Sequence, residues 1–470
     1  MQLKDLIDTN STINITGVTA DSREVKQGFL FASLNDDIYI SDAIKKGAAA
    51  VIIGRNSRLE SESQVEIIRC DNPAKVYAAA VARYYQYVPA HLAAITGTNG
   101  KTSIADFTRQ MLTMLGVKSA SIGTLGVIKG NNAPIPLPNT TPNNVTLHQI
   151  LRELSEENFN YAILEASSHG LEQQRLGGVE FDAAGFTNLT RDHLDYHKTF
   201  ENYFAAKLIL FSERLKKGGI AVLNADIEQF STLKATCEKR GCQVWSYGYN
   251  GDVLKLLKST PTSGGQILDI EYFGTPARLT IPLAGDFQAM NVLCALGLTA
   301  ALSGKRGELL PLSEKIKGAK GRLELVGHTP KGAAVYIDYA HTPDALENVL
   351  RSLREHTANH LIVVFGCGGN RDKGKRPIMG QIANDLADVV YVTDDNPRME
   401  DADIIRQEIM AACPKGINIK GRAEAIKEAI LKAQKGDVIV LAGKGHESGQ
   451  YVNGEVLPFS DHEEALKNLS

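Results

Sequence analysis

An apolar run, Leu92 to Ile95, passes directly into Thr96-Gly97-Thr98-Asn99-Gly100-Lys101-Thr102-Ser103, and a segment with helical spacing (Ile104, Phe107, Met111, Leu112) comes next. A buried strand, a glycine-rich turn and a helix in that order is the layout of a phosphate-binding loop. Backbone N–H groups of the turn and of the helix N-terminus point at phosphate oxygens. Lys101 reaches the terminal phosphates, and the Thr102 hydroxyl is placed to ligate Mg²⁺. The spacing departs from the common G-x4-G-K-[ST], because position 95 is Ile rather than Gly. A bare strand-to-helix turn leaves the Lys-Thr pair at the helix start without a reason, so nucleotide binding is the expectation.

At 470 residues the chain is long enough for about three domains. Its formal net charge of −3 supplies no global field toward nucleic acid or anionic membrane. No uninterrupted apolar span is long enough to cross a bilayer. The start, Met1-Gln2-Leu3-Lys4-Asp5, has acids at Asp5 and Asp8 and no apolar core, so a signal peptide is not expected. The six cysteines (Cys70, Cys237, Cys242, Cys294, Cys367, Cys413) are scattered without a C-x-x-C pair, which argues against a disulfide framework or a zinc knuckle. A monomer in a reducing cytoplasm is expected.

Three segments emerge. Residues 1–88 carry Asp21-Ser22-Arg23, a strand-like run 28–34, a helix with Ala43, Ile44 and Ala48, and a strand at 50–53, a small α/β unit. Residues 89–323 begin with the phosphate-loop strand and continue with strands at 161–164, 183–186 and 219–223. Within them, residues 245–285 alternate in short runs with turns and predict a small antiparallel insertion. Residues 324–470 hold strands at 334–337, 361–365, 389–392 and 438–441 with helices between, which predicts a doubly wound, Rossmann-like parallel sheet. The fold class is therefore α/β, with a central P-loop segment expected to bind a nucleotide and a C-terminal doubly wound sheet. Sites in such sheets lie outside the carboxyl ends of strands, and every polar cluster here comes after an apolar strand.

Glu165-Ala166-Ser167-Ser168-His169-Gly170 succeeds the strand 161–164, where a carboxylate can serve as a second Mg²⁺ ligand; a helix cap is the plainer alternative. Thr187 to His197 succeeds the next strand, with His193 as a metal or phosphate neighbour, or else a polar helix start capped by Thr190 or Asp192. Lys207 stands in an apolar helix, where snorkelling to the surface is the ordinary reading. In the last segment, Asp338-Tyr339-Ala340-His341, the glycine- and cation-rich 366–376, Asp394 to Arg398, and Gly443-Lys444-Gly445-His446-Glu447 each come directly after a strand. Solvated turns explain any one of these; four on one sheet point to a site for an anionic ligand.

Together the strings 96–102, 165–170, 192–197, 338–343 and 443–447 resemble the Mur ligases, the ATP-dependent amide-forming enzymes of peptidoglycan precursor synthesis. The likeness runs from about residue 15 to the C-terminus. It implies three domains: one for the UDP end of the substrate, a central ATPase, and a C-terminal domain that closes over it with the incoming amino acid. By that likeness Gly97, Thr98, Asn99, Gly100, Lys101, Thr102 and Ser103 bind ATP, and Thr102, Glu165, His193 and Lys207 surround two Mg²⁺ ions. Lys207 matches a lysine that the family carbamylates, which displaces the snorkelling reading. Asn291, Arg322 and Asp338 match positions that hold adenine and ribose; Gln288 stands where the family usually has Asn. Ser22, Asn139, Thr140, Thr141, Ser167, Gln173 and Arg175 match contacts to the UDP-muramoyl-dipeptide. The loop after the strand 29–34 is cut to Asn35-Asp36-Asp37-Ile38-Tyr39, shorter than usual, so its contacts to uridine are expected to differ.

Asp395-Asn396-Pro397-Arg398 matches the diaminopimelate-adding members, and Arg371, Gly443 and Glu447 match the rest of that pocket. The physics agrees, since diaminopimelate has a distal carboxylate that lysine lacks and a guanidinium grips it with two hydrogen bonds. Glu447 is a partner for the distal ammonium. The implied reaction converts the D-glutamate carboxylate of UDP-N-acetylmuramoyl-L-alanyl-D-glutamate to an acyl phosphate, which the amine of meso-2,6-diaminopimelate attacks. Lys101, the loop amides and two Mg²⁺ ions offset the gathered charge. His193 and His341 are both candidates for the base. Alternatives are a lysine-adding form, a folylpolyglutamate-synthase-like ligase, and a nucleotide-binding regulator without ligase chemistry.

Overall fold

A computed structural model describes residues 1–34, 37–57, 65–262 and 265–469, with only the backbone for Asp195. It divides into two compact units, Met1–Val253 with Cys294–Leu309, and Leu254–Leu293 with Leu310–Ser470.

The first unit begins with a four-stranded parallel sheet in sequence order, Gly17–Thr19, Phe29–Ala32, Ala50–Gly54 and Glu66–Cys70. One face is buried by Leu3, Leu6, Tyr77 and Val81, the other by Val25, Ile40 and Ala43. The helix predicted across 43–48 covers Ile40–Lys45 and stops before Gly47, whose φ of 97° ends it. In the shortened loop, Asp37–Tyr39 form a single 3₁₀ turn, whereas Asn35 and Asp36 lie outside the described residues.

The unit continues with strands in the order Gln243–Gly248, Leu215–Asn224, Phe181–Phe186, His91–Thr96, Tyr161–Glu165, Ser119–Gly123 and Gly126–Lys129. All neighbours run parallel except the last pair. The phosphate-loop strand is central and wholly apolar from Leu92 to Ile95, as burial on both faces requires. Its parallel neighbours bring residue 165 and residues 187–193 to the same end of the sheet as the glycine-rich turn.

The second unit holds an antiparallel meander, Leu254–Thr262, Gly265–Tyr272 and Thr275–Ile281. The antiparallel segment expected at 245–285 thus starts later than its sequence suggested. Residues 243–248 belong instead to the parallel sheet of the first unit, paired with Ile220 to Asn224. The second unit also holds a hairpin, Gly449–Val452 with Glu455–Pro458, and a six-stranded sheet ordered Glu324–His328, Ala334–Asp338, Val438–Ala442, Leu361–Phe365, Val389–Val392 and Ile417–Asn418. Only the first pair of that sheet is antiparallel. Helices Pro343–Arg354, Lys375–Leu386, Ala402–Met410 and Arg422–Lys432 connect these strands, and separate apolar clusters bury the two faces of the sheet. This is the doubly wound arrangement expected, and it brings all four polar turns to the carboxyl ends of parallel strands.

Candidate active site

In the first unit, the turn after strand His91–Thr96 is built so that only glycine fits its start. Gly97 has φ 141°, and a Cβ there would overlap Thr187 Oγ1. Gly100, at φ 90°, starts the helix Lys101–Met114. Neighbouring loops hold the turn open: Thr98 N–H donates to Asn188 O at 2.9 Å, Asn99 N–H to Asn188 Oδ1 at 2.9 Å, and Thr187 Oγ1 to Asn99 O at 2.6 Å. Lys101 Nζ folds back onto Gly97 O and Thr98 O at 2.9 and 2.8 Å. Ser103 is buried in the first helical turn.

Thr102 Oγ1 donates to Glu165 Oε2 at 2.9 Å, so two of the four residues expected around Mg²⁺ are in direct contact. Thr124 was missed in the sequence. Its N–H reaches Glu165 Oε1 at 2.8 Å and its hydroxyl reaches Oε2 at 3.1 Å. The one available signal was its place just past the carboxyl end of strand Ser119–Gly123. Gly123 has no room for a side chain, because a Cβ would run into the Glu165 carboxylate. A hydroxyl and a carboxylate on a phosphate loop form the oxygen set that a hard cation takes, so these residues fit Mg²⁺. Among the described residues, no three His, Cys, Asp or Glu side chains converge into a metal cage.

Lys207 does not snorkel. It is 1% exposed, its Nζ donates to Gly97 O at 2.8 Å, and it lies 4.4 Å from the Tyr203 ring centroid. Burial, reinforced by Lys101 and opposed by Asp192, holds its pKa well below that of an ordinary lysine. His193 sits at φ 53° at the start of helix Leu194–His197, so neither Thr190 nor Asp192 is the cap residue. Its half-exposed ring lies 3.4 Å from the Asp192 carboxylate and packs edge-on against His169. His169 also contacts Tyr196 and His197, an aromatic cluster the sequence left unread.

The residues expected to bind the acceptor divide into a network and two outliers. Thr141 Oγ1 donates to Glu165 O at 2.8 Å and accepts from Ser167 N–H and Oγ, both at 3.0 Å. Ser167 also caps the helix Ser168–Glu172, so the capping reading of this string holds for that residue. Thr140 Oγ1 lies 3.1 Å from Thr124 Oγ1. Arg175 donates to Thr141 O at 2.9 Å and grips Gln173 Oε1 at 3.0 and 2.7 Å. Asn139 is exposed. Ser22 is buried in the N-terminal sheet region, where its carbonyl accepts from Lys46 Nζ at 3.0 Å.

The second unit carries its own cluster. Asp338 accepts from Leu323 N–H at 2.6 Å and Ala340 N–H at 2.7 Å. Burial outweighs the nearby Arg322 and raises its pKa to about 6. The Arg322 guanidinium lies 4.8 Å from the Tyr339 ring centroid. Asn291 Nδ2 donates to Gln288 Oε1 at 3.0 Å, so the Gln in place of Asn is absorbed by a local bond. His341 contacts Tyr339 through its ring and through Nδ1, 2.9 Å from Tyr339 O.

Asn396 and Glu447 are in direct contact, Asp395 and Gly443 lie buried beside them in sequence, and Arg371 is exposed on its loop. Asn396 Nδ2 donates to Glu447 Oε2 at 3.0 Å. Arg398, at φ 54°, donates through Nη1 to Gly369 O at 2.8 Å. Asp395 is buried, which raises its pKa.

A family profile described as Mur ligase middle domain matches residues 95–299, and one described as Mur ligase, glutamate ligase domain, matches residues 321–445. A relative from Mesorhizobium japonicum, named UDP-N-acetylmuramoyl-L-alanyl-D-glutamate--2,6-diaminopimelate ligase, is 46% identical over 482 residues, covering 100% of this chain and 99% of its own. A solved structure of a ligase of that name has a TM-score of 0.74 at 32% identity, covering 98% of this chain and 96% of its own. A MurF ligase from Thermotoga maritima in complex with ADP shares the fold, with a TM-score of 0.62 at 18% identity and 97% coverage of each chain. With that identity sustained along its whole length, the chain belongs to the Mur ligase family.

Proposed function

We propose that this protein is an ATP-dependent ligase that adds meso-2,6-diaminopimelate to UDP-N-acetylmuramoyl-L-alanyl-D-glutamate in peptidoglycan precursor synthesis. The observation that carries the reading is the 46% identity, over the full length, to a ligase of that name. Residues 1–88 hold the UDP end of the acceptor, 89–323 the ATP and 324–470 the amino acid.

Lys101 and the N–H groups of Gly97 and of Gly100 to Ser103 hold the phosphates, with Thr98 and Asn99 shaping the loop through their bonds to Asn188, while Asn291, Arg322 and Asp338 hold the nucleoside. Thr102 and Glu165 hold Mg²⁺, which supplies charge neutralisation at the transferring phosphoryl group. Arg175, with Ser22, Asn139, Thr140, Thr141, Ser167 and Gln173, orients the acceptor so that its D-glutamate carboxylate oxygen attacks the γ-phosphorus and ADP leaves. The amine of diaminopimelate then attacks the acyl carbon of the resulting acyl phosphate, and phosphate leaves. That amine must lose a proton, for which His193 and His341 are the available imidazoles. Arg371, Asp395, Asn396, Pro397, Arg398, Gly443 and Glu447 hold the amino acid.

Burial lowers the pKa of Lys207 and so raises its share of neutral amine, the form that takes up CO₂ as a carbamate. The environment of Lys207 therefore supports its carbamylation, which turns a cation beside the phosphate loop into an anion able to assist His193 and Glu165 around a second Mg²⁺.

The test is phosphate release from Mg-ATP and UDP-N-acetylmuramoyl-L-alanyl-D-glutamate with meso-diaminopimelate, L-lysine or no amino acid. Release only with diaminopimelate is the expected result. Release with lysine alone would transfer the chain to the lysine-adding form. No release with either would favour a nucleotide-binding regulator.

A further inference from the structure

Lys444 has a fully buried side chain, 0% exposed, yet it lies between two residues assigned above to the amino-acid pocket. Its Nζ donates to Asn396 Oδ1 and to Glu447 Oε2, each at 3.0 Å, and lies 3.9 Å from Asp395 Oδ1. Asn396 Nδ2 closes the triangle onto the same Glu447 oxygen at 3.0 Å. The backbone is bent to permit this. Lys444 is flanked by Gly443 and Gly445 at φ 116° and 54°, and a Cβ on Gly445 would lie 2.8 Å from Tyr339 Cβ.

The triangle reaches further than Glu447. Asn396 Oδ1 also accepts from Tyr451 N–H at 3.0 Å. Tyr451 O accepts from Arg398 N–H at 2.8 Å, and Arg398 O accepts from Asn453 N–H at 2.7 Å. One ammonium group thus fixes the amide orientation of Asn396, saturates Glu447 Oε2 with a second donor, and supports the strand that holds Arg398 in its left-handed conformation. Glu447 Oε1 is left as the acceptor for an incoming ammonium, while Arg398 is held for a carboxylate.

We propose that Lys444 is a positioning residue that sets amino-acid specificity, holding Glu447 for the distal ammonium and, through Asn396 and Tyr451, Arg398 for the distal carboxylate of diaminopimelate. The inference rests on the reading of this cluster as the diaminopimelate pocket. Stability alone gives little reason for the residue, because a buried ion pair is commonly matched or exceeded by a well-packed apolar side chain. Geometry gives the reason, since an apolar side chain of similar volume holds neither the amide nor the carboxylate.

The experiment compares wild type, Lys444→Met and the double variant Lys444→Met/Glu447→Gln by steady-state kinetics and thermal melting. Lys444→Met is expected to raise KM for meso-diaminopimelate by roughly tenfold or more, lower the preference for diaminopimelate over L-lysine, and leave KM for ATP and for the UDP-muramoyl-dipeptide unchanged. The double variant lacks the Glu447 carboxylate that Lys444→Met strips of its cation, and it is expected to bind diaminopimelate no better than Lys444→Met, because Lys444 acts through Glu447. If Lys444→Met fails to fold, the double variant is the one measured. An unchanged KM for diaminopimelate, a loss shared equally by all three substrates, or failure of both variants to fold would overturn the positioning role. Wild-type enzyme that releases no phosphate with diaminopimelate would instead remove the functional reading, and this inference with it.

Discussion

Thr102 Oγ1 donates to Glu165 Oε2 across 2.9 Å, and the same carboxylate accepts from the N–H and hydroxyl of Thr124. Three donors converge on one buried carboxylate beside a phosphate loop. That network orients Glu165 before any cation arrives, and a cation needs only to draw the Thr102 lone pair toward itself.

Thr102→Ala is therefore expected to lower kcat by about a hundredfold, within the usual range for one lost charge-stabilising contact, and to raise the Mg²⁺ concentration for half-maximal activity. Thr102→Ser keeps the hydroxyl and should stay near wild type. Phosphate release titrated with Mg²⁺ measures both. An unchanged Mg²⁺ dependence in Thr102→Ala would remove the residue from the metal site.

Gly123→Ala tests the same carboxylate from the outside. A methyl group there occupies the position of Glu165 Oε1, so the carboxylate must swing away from Thr102. Activity should fall as far as in Glu165→Gln. Turnover near wild type would mean that the orientation of Glu165 is unimportant.

Lys207 sets function against stability. A buried amine with depressed pKa is a cost to folding at neutral pH, because the unfolded chain protonates that lysine freely. Gly97 O keeps its bond from Lys101 when Lys207 is removed. With CO₂ excluded, Lys207→Met is expected to melt at a higher temperature than wild type at pH 7. The unfolded state binds the extra proton between the depressed folded pKa and the ordinary value of 10.5, so wild type gains stability as pH rises through that window. The gap between the two proteins should narrow from pH 7 to pH 10. Activity of the variant should be lost, with partial return on adding short-chain carboxylates. Unchanged turnover would end the proposed role.

The phosphate loop, the strands and the polar clusters are readable in the sequence because each rests on local pattern: an apolar run sets a buried strand, and the turn after that run lies at a carboxyl end. Glu165 lies at the carboxyl end of its strand against Thr102, the location that pattern implies. Thr124 was not readable, because a lone Thr after a strand has no pattern of its own and its role comes from pairing Ser119–Gly123 beside Tyr161–Glu165. Lys207 misled residue-level reasoning, since burial of a lysine depends on what packs over the helix rather than on the helix itself. Residues 245–248 were read as antiparallel for a similar reason: a short alternating run does not carry its strand direction, and only pairing with Leu215–Asn224 fixes it.

Asp338 predicts a pH dependence in nucleotide binding. Its pKa is raised to about 6 by burial, with Arg322 opposing the shift. If Asp338 accepts from the ribose as proposed, KM for ATP should rise as pH falls below about 6, where this carboxylate becomes protonated. In stability the sign is opposite. The native state keeps a proton that the unfolded chain releases above 3.8, so stability declines as pH rises from 3.8 to about 6, a loss of up to about 3 kcal/mol. Asp338→Asn should flatten both curves in that window. Its amide has one acceptor oxygen for the Leu323 and Ala340 N–H groups, so it should also be less stable overall. Denaturant midpoints and ATP KM at pH 5, 6 and 7 check this, and an unchanged slope in the variant would exclude Asp338 as the titrating group.

Arg398 is the residue on which the proposed choice of amino acid turns. Its backbone is pinned by Tyr451 and Asn453, while one guanidinium nitrogen is committed to Gly369 O. The remaining N–H donors are available for a carboxylate. Removing the guanidinium deletes a charge-assisted contact that diaminopimelate makes and lysine does not. Arg398→Ala is therefore expected to lower kcat/KM for diaminopimelate by about a hundredfold, leaving the low value for lysine almost unchanged. Arg398→Lys retains the charge but not the planar fork and should recover only part of the loss. Parallel assays with the two amino acids separate the cases: an equal fall for both would mean that Arg398 supports the fold of the pocket and takes no part in telling the substrates apart.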